Sequence, residues 1–216
     1  GMFTGAVAQV FFPYFAANEP RKILEGIQRY SSLILKIGLP LLIFYGLALQ
    51  ILVPIVFGDK WNAALPMIFF LILFYGSSLL HHPVSGIPFI CRKPHWELNW
   101  NIFTLILRLG LLYVGLLHSF NMAILLFCIG SGLMNLLFYF LSIYLLKGSV
   151  VEHGARVGRG LIPAIVLGSL AWMANEYNMV IPGFMVLGSV YTVYLYLTDR
   201  EVFSTLGALL SRSAAK

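Results

Sequence analysis

Long apolar runs, broken by short polar segments, constrain this chain more than any other feature. One of them, Asn99 to His118, stays apolar for about the thickness of a bilayer's hydrocarbon core. Others occupy Leu33–Phe57, Ala63–Ile90, Met122–Leu146, Leu161–Ala174 and Met179–Leu197, and a first run, Gly1–Ala17, precedes them. In hydrocarbon every backbone N–H and C=O must be satisfied within the protein, so only helices and closed barrels can span. Barrel strands would show segments of about ten residues with alternating polarity, and these runs do not alternate. Charged residues make up 10% of the chain and hydrophobic ones 60%, whereas soluble domains carry about 25% charged residues. The expectation is an all-α integral membrane protein of about seven transmembrane helices, one membrane domain over 1–216 with a tail at 199–216.

The breaks carry the orientation. Basic residues fall at Arg21, Lys22 and Arg29, at Arg92 and Lys93, at Lys147, Arg156 and Arg159, and at Arg200, Arg212 and Lys216. These are alternate breaks; the intervening ones hold only Lys60. The positive-inside rule then puts the basic set in the cytoplasm, with the C-terminus there too, in a multi-pass protein of the cell membrane. Trp61, Trp96, Trp100, Trp172 and Tyr177 stand near span ends, as in an aromatic belt. The formal charge of +6 is spread along the chain rather than gathered on one face, so nucleic acid is not an expected partner. No basic segment precedes the apolar N-terminus, so no signal peptide is expected there, and the segment reads as the tail of a helix that began earlier. Cys91 and Cys128 fall at different depths, and no disulfide is expected.

Arg108 sits in the middle of Asn99–His118 with no acid in the run. A guanidinium at that depth costs at least a few kcal/mol. Asn101, Thr104 and Arg108 are separated by steps of three and four, which keep them on one helical face. A polar stripe on an apolar span faces protein or a water-filled cavity. Two readings stay open: a cationic site for an anionic substrate group such as a phosphate, or a structural arginine bonded to backbone carbonyls or a distant carboxylate. His81 and His82 point about 100° apart on a helix. One of them, His81 in particular, is a candidate to line the same cavity, against the alternative of a hydrogen-bonded histidine between helices. Lys36, a little inside the second span, either snorkels to the interface or enters the cavity. The five histidines lack the spacing of a metal centre, and neither metal nor cofactor is expected. Gly154, Gly158 and Gly160 have no GK[ST] after them and read as a flexible cytoplasmic loop, Lys147–Gly160. Asn18–Tyr30 reads as an interfacial amphipathic segment. Prolines 40, 54, 66, 83 and 88 within spans suit the interrupted helices of transporters.

The segment Val56-Phe57-Gly58-Asp59-Lys60-Trp61-Asn62-Ala63-Ala64 resembles the FG-x-x-W-x-x-A signature of polysaccharide and oligosaccharide flippases. These belong to the multidrug/oligosaccharidyl-lipid/polysaccharide exporter superfamily. Gln9-Val10-Phe11-Phe12-Pro13 and the basic turn Cys91-Arg92-Lys93 agree with it. The resemblance implies the C-terminal lobe of a flippase of twelve to fourteen helices, with the N-terminal lobe missing. Such a protein moves a lipid-linked sugar pyrophosphate across the cytoplasmic membrane by alternating access, and is not an enzyme. Its expected partners are that substrate, membrane lipids, and the missing lobe or a partner subunit. The substrate-binding candidates Arg108, Thr104, Asn101, Lys36 and His81 come from residue chemistry rather than from a family motif. Alternatives are a lipid II or multidrug exporter of the same superfamily, or a membrane-embedded glycosyl or acyl transferase using His81, His82, His95 or Glu97.

Overall fold

A computed structural model describes residues 13, 15–176 and 180–198. The first apolar run is thus outside the described residues except at 13 and 15–17, as are the tail 199–216, Tyr177 and Asn178 of the last break, and Met179 at the start of the last run. The protein is all-helical, with no strand among the described residues. Four stretches among them are long and apolar enough to cross a membrane: Pro20–Phe57, Asp59–Ile90, Pro94–Leu116 and Phe120–Leu145.

The first of these corrects a boundary. The amphipathic segment and the second span form one unbroken helical stretch, α1 (Pro20–Leu33), a π-helical turn (Ile34–Gly38) and α2 (Leu39–Phe57). Pro20 opens α1, where its missing N–H costs nothing. Ile23, Ile27 and Ser31 recur every four residues and are buried, while Arg21 and Glu25 pair at 3.5 Å on the exposed side. The π-turn has a local cause. Pro40 lies four residues after Lys36 and has no N–H for its carbonyl. The helix widens there, and the Leu39 N–H donates to the Ile34 carbonyl, five residues back.

α2 ends at Gly58, whose φ of 82° suits a residue without a side chain. A 3-10 turn, Asp59–Ala64, leads into α3 (Leu65–Val84). The Phe57 and Trp61 rings meet at 5.8 Å across this turn. The FG-x-x-W segment is therefore a chain reversal: glycine supplies the backbone angle and the aromatic pair clasps it. Gln50 Nε2 donates to the Leu65 carbonyl at 3.0 Å and ties α2 to the start of α3.

After Pro83 the chain turns at Ser85–Gly86 and makes a short helix, α4 (Ile87–Ile90). α5 (Pro94–Leu116) and α6 (Phe120–Leu145) follow. They form a tight hairpin: Ser119 caps α6 by accepting from the Met122 N–H at 3.1 Å, and Gly115 lies against the Ala123 backbone. α4 and α6 end in the same way. The Lys93 N–H reaches the Pro88 carbonyl at 2.7 Å and the Arg92 N–H the Phe89 carbonyl at 3.0 Å. The Gly148 N–H reaches Ile143 at 3.0 Å and the Lys147 N–H reaches Tyr144 at 2.9 Å. Both are Schellman closures, whose left-handed residue is usually glycine; here it is Arg92 (φ 56°) and Lys147 (φ 58°).

The Lys147–Gly160 segment is a second correction. Only Lys147 to Ser149 lie outside a helix, and α7 runs from Val150 to Glu176. The Ser149 hydroxyl accepts from the Glu152 N–H at 3.3 Å, the start of an S-x-x-E cap. Its carbonyl accepts from His153 Nδ1 at 2.9 Å. The three glycines are thus helical. α8 (Val180–Thr198) completes the described chain.

α3 and α5 each pack along α6, while α2 packs against α3, α7 and α8. One apolar core joins α1, α3, α6 and α7 through residues such as Ile23, Ile27, Val84, Phe138 and Ile143. A second joins α2, α7 and α8 through Ile43, Leu47, Leu167 and Leu187. Cys91 and Cys128 are both free.

Candidate functional site

Because α3 and α5 both lie on α6, a groove opens between them. It holds a cavity of about 410 Å³, walled by Phe74, Ser78, His81 and His82 of α3 and by Trp100, Asn101, Thr104, Leu105 and Arg108 of α5. Asn135 of α6 also lines it. The 3–4 spacing along α5 thus delivers its polar stripe to one wall. Arg108, Thr104, Asn101 and His81 come together here. Lys36 does not join them; it lines a separate cavity with residues of α1, α6, α7 and α8.

Arg108 stands about 21 Å along a helix of about 34 Å. Its side chain is half-buried, and its Nε lies buried with no hydrogen-bond partner. Its guanidinium carbon sits 5.9 Å from the centre of the Phe74 ring, a cation–π contact. No carboxylate lines the cavity among the described residues. Glu97, on the same helix, is about 16 Å away along the axis. A guanidinium held over an aromatic face, with its Nε unmatched, is a donor awaiting an acceptor.

The remaining polar groups are partly committed. Thr104 is buried and donates to the Trp100 carbonyl at 2.7 Å, so its hydroxyl offers a ligand only lone pairs. Asn135 Nδ2 donates to Ser77 Oγ at 3.1 Å and to Ser78 Oγ at 3.0 Å. Both serine hydroxyls donate in turn to the Phe74 carbonyl at 2.8 Å. This network fixes the turn of α3 that presents Phe74 to Arg108. Asn101 is exposed on the cavity wall. His81 rests its ring edge-on against Phe138 at 4.7 Å, and its Nδ1 lies buried without a partner. Both His81 and His82 line the cavity, although they are adjacent in sequence. Of the residues considered for a transferase, His95 and Glu97 are not on its wall.

Asn135, Ser78 and Trp100 were missed by reasoning from the sequence. Asn135 had a signal: it is an amide within an otherwise apolar run. Ser78 and Trp100 had none, since serine is ordinary in membrane helices and Trp100 reads as an interfacial anchor. Among the described residues, no three His, Cys, Asp or Glu side chains converge to hold a metal ion.

Residues 1–66 match a family described as polysaccharide biosynthesis protein. The matched segment contains both Gln9–Pro13 and the whole FG-x-x-W-x-x-A reversal, and it supports the resemblance to polysaccharide flippases. No curated protein and no solved structure gives a significant match to the chain.

Proposed function

With that family match as the premise, we propose that the chain serves as one lobe of a transporter that flips a lipid-linked oligosaccharide across the cytoplasmic membrane. In this reading the cavity between α3 and α5 receives the substrate's anionic phosphate. The observation that carries it is Arg108: a guanidinium deep in an apolar helix, its Nε without a hydrogen-bond partner, in a cavity that no carboxylate lines among the described residues. An anion there completes the donor's hydrogen bonding and offsets the burial of its charge. A cationic drug finds no counter-charge on the same wall, which favours the lipid-linked substrate over a multidrug exporter's cargo.

The polar stripe gives the direction of approach. Asn101 and Thr104 precede Arg108, and the end of α5 from which they start is the basic, cytoplasmic one under the positive-inside rule. The headgroup enters from the cytoplasm, meets Arg108 partway across, and leaves outward when the lobe closes against a second lobe. The chain works as a carrier rather than an enzyme, and its protein partner supplies the facing wall. The π-turn and the break at Ser85–Gly86 support this reading, because such interruptions are where packed helices hinge.

Export by the complete protein tests it. Arg108→Ala is expected to abolish polymer export while leaving the protein's membrane level unchanged. Normal export by that variant contradicts the role given to Arg108.

A further inference from the structure

A second cavity, of about 360 Å³, lies among α1, the π-turn, α7 and α8 and shares no lining residue with the Arg108 cavity. We infer that it is a distinct anion site, one that binds a phosphate group at the basic end of the bundle. This goes beyond the transport reading and does not rest on it.

Three cations line the cavity: Lys36 from the π-turn, and Arg156 and Arg159 from α7. The two arginines are three residues apart and share a helical face. No carboxylate lines it among the described residues. Three like charges around one space repel each other, and a bound anion reverses the sign of that interaction. Hydroxyl groups of Ser31, Ser32 and Tyr139 add neutral polar groups to the wall. Its volume falls within the range of small-ligand sites, about 300–1,000 Å³.

The site is built rather than accidental. The Lys36 carbonyl accepts from the Tyr191 hydroxyl at 2.5 Å, which fixes the backbone from which the Lys36 side chain leaves. α7 approaches the π-turn closely at Gly160, where a Cβ would lie 2.8 Å from Leu35 Cδ1 and 3.1 Å from Leu35 Cβ. Gly160 follows Arg159 and Leu35 precedes Lys36, so this contact brings together the two backbone segments that carry these cations, and both side chains line the one cavity. On the far side Gln28 Nε2 lies 3.1 Å from His153 Nε2. The His153 Nδ1 faces the Ser149 carbonyl, which can only accept, so Nε2 accepts from the amide. That pair ties α1 to α7 across the cavity's edge.

The phosphate can belong to a free anion or to a lipid headgroup, and two arms separate these. In the first, the full chain in phosphatidylcholine nanodiscs is titrated with inorganic pyrophosphate by calorimetry. In the second, nanodiscs containing phosphatidylglycerol are used, and native mass spectrometry counts the anionic lipid retained. Each is run on the wild type, on Arg156→Gln/Arg159→Gln, on that pair with Lys36→Gln, and on Arg108→Gln with and without the pair. Saturable binding in either arm is expected, weakened about tenfold or more by the double substitution and kept in Arg108→Gln. Binding in the first arm identifies a free-anion site, and binding in the second alone a headgroup site. Both arginines are exposed, so the double variant reads the site even where adding Lys36→Gln impairs folding; circular dichroism checks helix content. No saturable binding in either arm overturns the inference. So does binding in an Arg108→Gln background that survives the double substitution, or binding lost with Arg108→Gln alone.

Discussion

The Tyr191 hydroxyl donates to the Lys36 carbonyl at 2.5 Å, across 155 residues of sequence. Lys36 is the residue whose carbonyl Pro40 cannot serve, having no N–H. A tyrosine from the last described helix thus supplies the hydrogen bond that a proline removed from the first long one. Tyr191→Phe leaves the carbonyl without this donor and is expected to destabilise the protein by about 1 kcal/mol. Pro40→Ala returns a backbone N–H, so the effect of Tyr191→Phe shrinks in that background. Equilibrium unfolding in mixed micelles, run as a double-mutant cycle, measures the coupling.

Two glycines of α5 make a matched pair. At Gly115 a Cβ would collide with Ala123 Cα, a backbone atom that moves only if the α5–α6 hairpin opens. At Gly110 nothing lies within 4 Å. Gly115→Ala is expected to cost about 1–3 kcal/mol. Gly110→Ala is expected to be neutral or to stabilise by up to about 1 kcal/mol through helix propensity. Unfolding of the two variants side by side checks the sign at each position.

Arg92 and Lys147 occupy left-handed positions that close α4 and α6. A side chain there costs roughly 1 kcal/mol relative to glycine. Lys147→Gly is therefore expected to raise stability by up to about 1 kcal/mol. Keeping the backbone strained there retains a positive charge at a helix C-terminus, where the macrodipole favours it. A Lys147→Gly variant no more stable than the parent in the same unfolding assay contradicts the strain.

Removing the amide from the Asn135 network leaves Ser77 and Ser78 bonded to the Phe74 carbonyl. Asn135→Leu therefore strands no buried donor and is expected to cost only about 0.6–1.7 kcal/mol, the range for hydrogen bonds between membrane helices. Because it loosens the turn that presents Phe74 to Arg108, it is also expected to weaken anion binding in that cavity. Stability and binding measured on the same preparation separate the two effects.

The wall of the Arg108 cavity was legible because α5 is regular. Steps of three and four from Asn101 through Thr104 to Arg108 become one face wherever the helix keeps its period. Lys36 was legible in depth but not in direction. The π-turn around it adds a residue to one turn of helix, and each added residue rotates everything beyond it by about 100°. No composition signal marks that rotation; only the spacing of Pro40 from Lys36 hints at it. The Lys147–Gly160 segment misled for another reason. Its glycines and charges have the composition of a loop, yet Ser149 and Glu152 carry the cap that starts a helix, and burial of His153 and Val157 holds it. Cavity membership of Asn135 and Ser78 needed the placement of α3 and α5 on α6, which no local pattern encodes.

An Arg108 guanidinium that binds an anionic headgroup must show itself in equilibrium binding, free of the later steps of export. A lipid-linked oligosaccharide diphosphate is titrated into purified complete protein, alongside Arg108→Gln and Arg108→Lys variants. Arg108→Gln is expected to weaken binding about tenfold or more, by loss of a charge-assisted hydrogen bond. Arg108→Lys is expected to recover part of that loss, since it keeps the charge but not the planar fork. Equal affinity for wild type and Arg108→Gln would contradict binding by the Arg108 guanidinium.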